Sequence, residues 1–338
     1  MKLLIITQVV DSEHPVLGFF HRWIEEFSKY YEQVHVICLQ EGQHSLPSNV
    51  TVHSLGKEAS ARKLTYIWRF YRYCWKLRNS YDHVFVHMNQ VYVILGGLLW
   101  HWQKKQIGLW YMHGKTSFSL KVAEILVDKV FTGSIESFRI SSHKVLVTGH
   151  GIDTELFVPY AVDKEIDLIT VGRIAPIKNL EKQIDVLEEV RKTYPATLTV
   201  VGVALTAVEK HYFERLGTYI KQKKLTPHVH FIGKVSQKNL PQLLNRARVF
   251  IHTAKNGSLD KAVLEAMSCG VAVVSTSDSL FDTPVGEVAA DTTNIADRVT
   301  HLLTSKVTYD SVKSHEYVLN NHSLRALIPK IVRHLNLR

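Results

Sequence analysis

Two rhythms of apolar and polar residues alternate along this chain. Short apolar runs at 3–7, 34–39, 50–55, 83–87, 107–112, 129–132 and 145–148 read as strands. The stretch 19–30 has helical periodicity, and further helices are expected near 61–79, 91–104, 119–128 and 134–140. Strands separated by such helices make parallel βαβ units. The pattern restarts after Pro159, with strands at 166–171, 197–201, 229–232, 249–252 and 271–275 and helices at 179–193, 206–222, 239–246 and 260–268. The segment 150–165 lacks a clear period and holds Gly151 and Pro159, so it reads as a linker. The tail, about 311–338, is helical and polar on one face. Two doubly wound halves of this kind leave a cleft, and open parallel sheets bind ligands outside the carboxyl ends of their strands.

A length of 338 residues suits two domains. With 46% apolar and 21% charged residues, the chain is neither largely disordered, nor collagen-like, nor a small disulfide scaffold. The formal net charge of +10 favours anionic partners: phosphorylated ligands, nucleic acid or acidic lipid. Cys38, Cys74 and Cys269 form no CxxC and are odd in number, which points to a reducing, cytoplasmic compartment. The opening MKLLIITQVV reaches Asp11 at once and reads as a strand rather than a signal peptide. The run 91–100 comes nearest to a membrane span but stops at His101 and the Lys104-Lys105 pair. It is expected to be a buried helix with an interfacial edge.

Two stretches carry candidate chemistry. In 167–190 an apolar strand ends at Gly172, Arg173 follows, and a loop with Pro176 delivers Lys178 just before a helix. Two cations at a strand-to-helix turn suit a diphosphate. On spacing alone, a surface pair with nothing to bind accounts for them equally well. In 249–277 a strand ends near His252, a polar loop carries Gly257 and Ser258, and a helix starts near Asp260. Free amides at that helix start suit an anion, and Glu265 about one turn on suits a pair of ribose hydroxyls. A plain amphipathic helix with a solvated Glu265 is the alternative.

Together these stretches resemble the donor half of GT-B glycosyltransferases of the large retaining family 4. The family's GR…K and LEAM-x-x-G-x-P-V-V segments read here GRIAPIK and LEAMSCGVAVVST. TGHGIDTELF at 148–157 is similar to the family's interdomain segment, and KLLIITQ to its start. The resemblance implies two Rossmann-like doubly wound domains facing a cleft. These are an acceptor-binding domain at 1–155 and a nucleotide-sugar-binding domain at 156–310, with the tail 311–338 packing back on the first. It implies that Arg173 and Lys178 hold the nucleotide diphosphate and stabilise the leaving group, beside Gly172. Glu265 would bind the ribose, and amides of Ser258, Leu259, Asp260 and Lys261 would face the sugar or phosphate. Gly18 would approach the phosphate or acceptor, His113 would face the donor sugar, and the base would rest on Gly233, Lys234 and Val235.

The implied reaction is retaining transfer from a nucleotide-diphosphate sugar to a glycan or lipid-linked acceptor, with neither metal nor other cofactor. Three departures stand out. The first acid of the family's E-x7-E pair is Gly257 here, the glycine usual after the lysine is Asn179, and the N-terminal loop offers Gly18 rather than a glycine pair. The missing acid is the only support for an alternative, a catalytically inactive binding or regulatory protein of the same fold. It also argues against a sugar-nucleotide epimerase. No nucleic-acid recognition motif appears, so no nucleic-acid partner is expected. His228 and His230, or His143 and His150, lack companions in metal-ligand spacing, and no metal site is expected.

Residues 61–82 form a further constellation. Leu64, Ile67, Phe70, Tyr71, Cys74 and Leu77 would share a face packed on the N-terminal sheet. Arg62, Arg69, Arg72 and Lys76 form an opposite stripe, flanked by Tyr66 and Tyr73 on one side and Trp68 and Trp75 on the other. That stripe suits an anionic membrane surface, peripheral at the inner face of the cell membrane; a solvated helix face is the alternative.

Overall fold

The computed structural model describes residues 1–254, 260–277, 280, 287–288, 292–304 and 309–337. The chain divides into two compact units, Met1–Asp153 with His322–Arg338, and Thr154–Asn321.

The first unit runs β1 (Lys2–Val10), α1 (Phe19–Ser28), β2 (Gln33–Glu41), β3 (Val50–Ser54), α2 (Lys63–Lys76), β4 (His83–His87) and α3 (Gln90–Trp102). It continues with β5 (Gln106–Trp110), α4 (Phe118–Leu126), β6 (Lys129–Thr132) and β7 (Val145–Val147). The strands form one sheet in the order β3-β2-β1-β4-β5-β6-β7, parallel at every pairing. Side chains alternate between its faces. Leu4, Ile6, Val84, Val86 and Leu109 join a core with Phe70 and Cys74 of α2, Val93 and Trp100 of α3, and Leu120 and Ala123 of α4. Leu3, Ile5, Phe85 and Phe131 point the other way, into a core with Phe20, Trp23 and Ile24 of α1. That second face is completed from the chain's far end, by Leu327, Ile328, Ile331 and Leu335 of a terminal helix, Leu324–Asn336.

The second unit repeats the plan with β8 (Ile166–Val171), α5 (Leu180–Val190), β9 (Leu198–Val201), α6 (Ala207–Gln222), β10 (Val229–Gly233) and α7 (Leu240–Asn245). Then come β11 (Ala247–His252), α8 (Lys261–Ser268), β12 (Ala272–Ser275), β13 (Glu287–Val288), α9 (Thr292–Thr304) and α10 (Ser311–His322); the terminal helix is α11. The strand order is β10-β9-β8-β11-β12-β13, again parallel. Leu180, Ile184 and Leu187 of α5 pack with Tyr212 and Leu216 of α6 and with Ile295 and Val299 of α9.

Several expectations change. The stretch 134–140 is not an α-helix; it holds a single 3₁₀ turn, Ile135–Ser137. β13 and α9 lie where the sequence reading placed no element, although Ile295, Val299 and Leu303 repeat at helical spacing and are buried. The tail is not one piece: 311–321 stays with the second unit, while α11 covers the first unit's sheet. On α2 the expected apolar face is only half right. Phe70, Cys74 and Leu77 are buried, whereas Leu64 is 79% exposed and Ile67 and Tyr71 are each 40% exposed. Nor does Arg69 belong to an exposed stripe: it is half-buried, and its Nη1 donates to the Leu55 carbonyl at 3.0 Å. The cause is geometric: α2 meets the core through Phe70, Cys74 and Leu77, with Tyr66 and Tyr73 packed alongside and the Tyr73 ring 5.0 Å from that of His53 of β3, while Leu64 and Tyr71 lie on the side turned away from it.

Histidines in the first unit couple stability to pH. His87 stacks on Phe20 with ring centroids 3.8 Å apart, and its Nδ1 lies 3.2 Å from Thr7 Oγ1. Burial pushes its pKa down from 6.5 to about 3. Burial, aided by Lys330, takes His322 down to about 4; its Nδ1 lies 3.2 Å from that of His150. Both rings stay neutral in the folded chain, so between pH 6.5 and about 4 the unfolded chain binds more protons. Stability is therefore full above pH 6.5 and falls as pH drops through that window. The loss is up to about 1.4 kcal/mol per pH unit for each histidine. Urea unfolding at stepped pH measures the slope, and His87→Asn should flatten it.

Candidate functional site

The strand order of the second unit reverses at β8, which lies between β9 and β11. A parallel sheet takes ligands outside its carboxyl edge at such a point. The backbones there approach so closely that glycine is required. Gly172 follows β8 with φ +152°, and Gly202 follows β9 with φ +145°. A Cβ on Gly202 would overlap the Gly172 carbonyl, and one on Gly172 would stand 3.1 Å from Lys178 Cε. Gly233 closes β10 on the same edge, its carbonyl accepting from Gly202 N at 2.9 Å. Lys234 is exposed and Val235 half-buried beside it.

Lys178 ends a 3₁₀ turn, Pro176–Lys178, and Asn179 follows at φ +51°. Asparagine tolerates this left-handed conformation better than most residues. Asn179 thus adopts a backbone conformation that glycine also adopts readily. Thr253, just past β11, places its hydroxyl 3.2 Å from the Lys178 carbonyl and 2.9 Å from that of Asn179. The turn is thereby tied to the end of the neighbouring strand. Lys178 Nζ then pairs with Asp260 Oδ2, both side chains being mostly buried.

Asp260 is the N-cap of α8, its Oδ1 lying 3.5 Å from Ala262 N. His252 Nε2 stands 3.4 Å from the same Oδ2, while its Nδ1 lies 2.9 Å from Ser275 Oγ. That Nε2 is buried and makes no hydrogen bond among the described residues. Burial opposes ionisation of Asp260, but the Lys178 ammonium and the His252 ring outweigh it, and the carboxyl is held well below the usual range.

Arg173 is anchored separately. Its Nη1 donates to Glu209 Oε1 at 2.7 Å, and its side chain remains 45% exposed. Glu209 Oε2 accepts from the amides of Leu205 at 2.8 Å and Thr206 at 3.0 Å, within a capping box that starts α6. Burial raises the Glu209 pKa, but those amides and Arg173 prevail and it lies below its ordinary value. Glu265 is buried, and its Oε1 accepts from Gln237 Nε2 at 2.6 Å and pairs with Lys261 one turn earlier.

The structure thus brings Gly172, Lys178 and Asp260 together, pairs Lys261 with Glu265, and sets Arg173 and Gly233 on the same sheet edge. The Asp260 carboxylate takes a part that the sequence reading did not foresee: it holds the lysine. Ser258, Leu259 and Gly257 lie outside the described residues. Gly18 and His113 belong to the first unit. Gly18 N donates to the His14 carbonyl at 3.0 Å, and a Cβ there would lie 2.7 Å from that oxygen, so packing requires the glycine. His113 is exposed in the segment after β5, its ring 5.6 Å from that of Tyr111. Sequence reasoning gave no role to His252, Thr253, Glu209 or Gln237. For Glu209 a signal existed, the Thr206-x-x-Glu209 capping pattern.

Asp260→Asn removes the charged partner of a mostly buried ammonium. It should lower the stability of the second unit by about 1–3 kcal/mol, while Glu189→Gln, at an exposed position of α5, should cost far less. Urea unfolding of the two variants makes the comparison.

Comparison with known proteins follows the division of the chain. The family model for glycosyl transferases group 1 matches residues 152–304, and that for glycosyl transferase 4-like proteins matches residues 12–120. A phosphatidylinositol N-acetylglucosaminyltransferase component of Arabidopsis thaliana is 29% identical over 140 residues, 40% of this chain and 30% of that protein. GDP-Man:Man(3)GlcNAc(2)-PP-Dol alpha-1,2-mannosyltransferase of Dictyostelium discoideum is 28% identical over 120 residues, 33% of this chain and 24% of that one. The matched stretches thus cover less than a third of these curated relatives. Among solved structures, HepE of Anabaena in complex with UDP superposes with a TM-score of 0.79 at 19% identity, covering 99% of both chains. Sucrose-phosphate synthase of Thermosynechococcus elongatus gives 0.76 at 14%, covering 98% of both. With both units matched by their own family model and the fold shared along the whole chain, this protein belongs to the GT-B glycosyltransferases of the family 4-like group.

Proposed function

We propose that the protein transfers a sugar from a nucleotide-diphosphate sugar to a glycan or lipid-linked acceptor, with retention of anomeric configuration. The observation that carries this reading is the placement of Arg173 and Lys178. Both follow β8 at the switch point of the second sheet, and both are fixed by acids at helix starts. A diphosphate between them receives charge-assisted bonds from preset donors, which need little reorganisation as charge grows on the leaving group. Glu265, preset by Gln237 and Lys261, is the proposed ribose ligand. HepE has been solved with UDP and with UDP-glucose, which supports a nucleotide-sugar donor here.

In the proposed step the bond from the anomeric carbon to the diphosphate breaks. The acceptor oxygen bonds that carbon on the same face, and its proton passes to the departing phosphate. The second unit holds the donor, and the first binds the acceptor. Arg173 and Lys178 carry the charge stabilisation that a divalent cation would otherwise supply.

A thermal-shift screen against UDP-, GDP-, ADP- and CDP-sugars should single out the donor, and the anomeric signal of the product by NMR should show retention. Lys178→Ala should lower kcat with that donor about 100- to 1,000-fold. Wild-type rates for this variant would sink the assignment. Turnover should be unchanged by EDTA.

A further inference from the structure

Three neighbouring helices of the first unit carry apolar side chains on faces turned away from the sheet. On α2 these are Leu64, Trp68, Tyr71 and Trp75, spaced i, i+4, i+7, i+11. On α3 they are Val91, Leu98 and Trp102, spaced i, i+7, i+11, and on α4 Phe118 and Ile125, spaced i, i+7. Each set forms one stripe of its helix, on a different side from the residues that enter the core. The exposure is large: 60% for Trp68, 73% for Leu98, 69% for Trp102 and 83% for Phe118.

The stripes belong to one layer. The Tyr71 hydroxyl donates to the Leu95 carbonyl at 2.8 Å, and the rings of Trp75 and Trp102 stack with an interplanar angle of 8°. These contacts join α2 to α3. On the other flank Gly97 of α3 packs against Leu126 of α4, where a Cβ would stand 3.0 Å from Leu126 Cβ. Soluble monomers rarely leave a contiguous apolar surface of this kind uncovered.

Charge identifies what covers it. Neither α2 nor α3 contains an aspartate or glutamate. Arg62, Lys63, Arg72 and Lys76 are exposed along α2, Lys104 follows α3, and Lys121 sits on α4. Arg72 lies 5.2 Å over the Trp68 ring and Arg78 4.7 Å over that of Trp75. The acid of α4, Glu124, accepts from Ser142 Oγ at 2.5 Å and lies 4.0 Å from Lys144. A second copy docked on the same face would set these cations against their equivalents. Tryptophan and tyrosine edged by lysine and arginine are instead the composition of a membrane interface.

We propose that the outward face of α2, α3 and α4 docks on an anionic lipid bilayer, with the helices lying in the interface and the basic side chains among the headgroups. The docking does not require the transfer reaction, so its test stands apart from the test of activity.

The test is flotation of the full chain with phosphatidylcholine vesicles, with and without phosphatidylglycerol. The protein should float with the anionic vesicles, be released by salt, and show a blue shift of tryptophan fluorescence on binding. Arg72→Gln with Lys76→Gln should weaken binding about five-fold for each charge, or about 25-fold together. Trp68→Ser with Trp102→Ser should weaken it at least about tenfold, and Trp102→Phe should largely restore it. Unchanged thermal melts would show that these surface variants fold. Failure of the wild-type chain to float with anionic vesicles would overturn the proposal, as would unweakened binding by both double variants. So would a dimer in equilibrium sedimentation that the tryptophan substitutions dissolve, since a second copy would then cover the face.

Discussion

Parallel strands can be joined only by crossovers, and every crossover helix must cover one face of the sheet. That constraint organises each unit of this protein. It sends α2, α3 and α4 to one side of the first sheet and α1 to the other, and it recruits α11 from the end of the chain to complete the second face. Covering both faces also means that the strand order reverses once in each sheet. Where the order reverses, the helices after adjacent strands lie on opposite sides, and the carboxyl edge is left open to a ligand.

In the second unit the open edge is lined by paired charges. Each cation is held by an acid that is itself fixed by a helix: Arg173 by Glu209 in the capping box of α6, Lys178 by Asp260 at the N-cap of α8, and Lys261 by Glu265 within α8. Such pairs attenuate the positive field. In return they hold long flexible side chains in one geometry, so that little ordering is left for the moment of binding. Thr253 and the left-handed Asn179 serve the same end through the backbone.

The first unit uses its freedom differently. Once a crossover helix has filled the space over the sheet, its outer face is under no folding constraint. On α5, acids and a lysine occupy such positions, whereas on α2, α3 and α4 tryptophan, leucine and phenylalanine do. Folding the unit does not require large apolar residues there, which is why that surface bears on what the protein meets.

The sequence by itself determined the alternation of strands and helices, the parallel architecture, and the two stretches that bear Arg173, Lys178 and Glu265. These follow from local periodicity and from short-range order along the chain, which neighbouring residues alone express. The weaker elements β13 and α9 are not legible in the sequence, because 276–310 mixes residue types that favour turns with a short apolar repeat. Only the tertiary structure decided that Asp260 grips Lys178 across 82 residues, that Glu209 anchors Arg173, and that α10 and α11 belong to different units. It also decided that Leu64 and Tyr71 face outward although they share the apolar spacing of buried neighbours. Spacing along a helix ranks its faces, but it is the strands it meets that fix which one is buried.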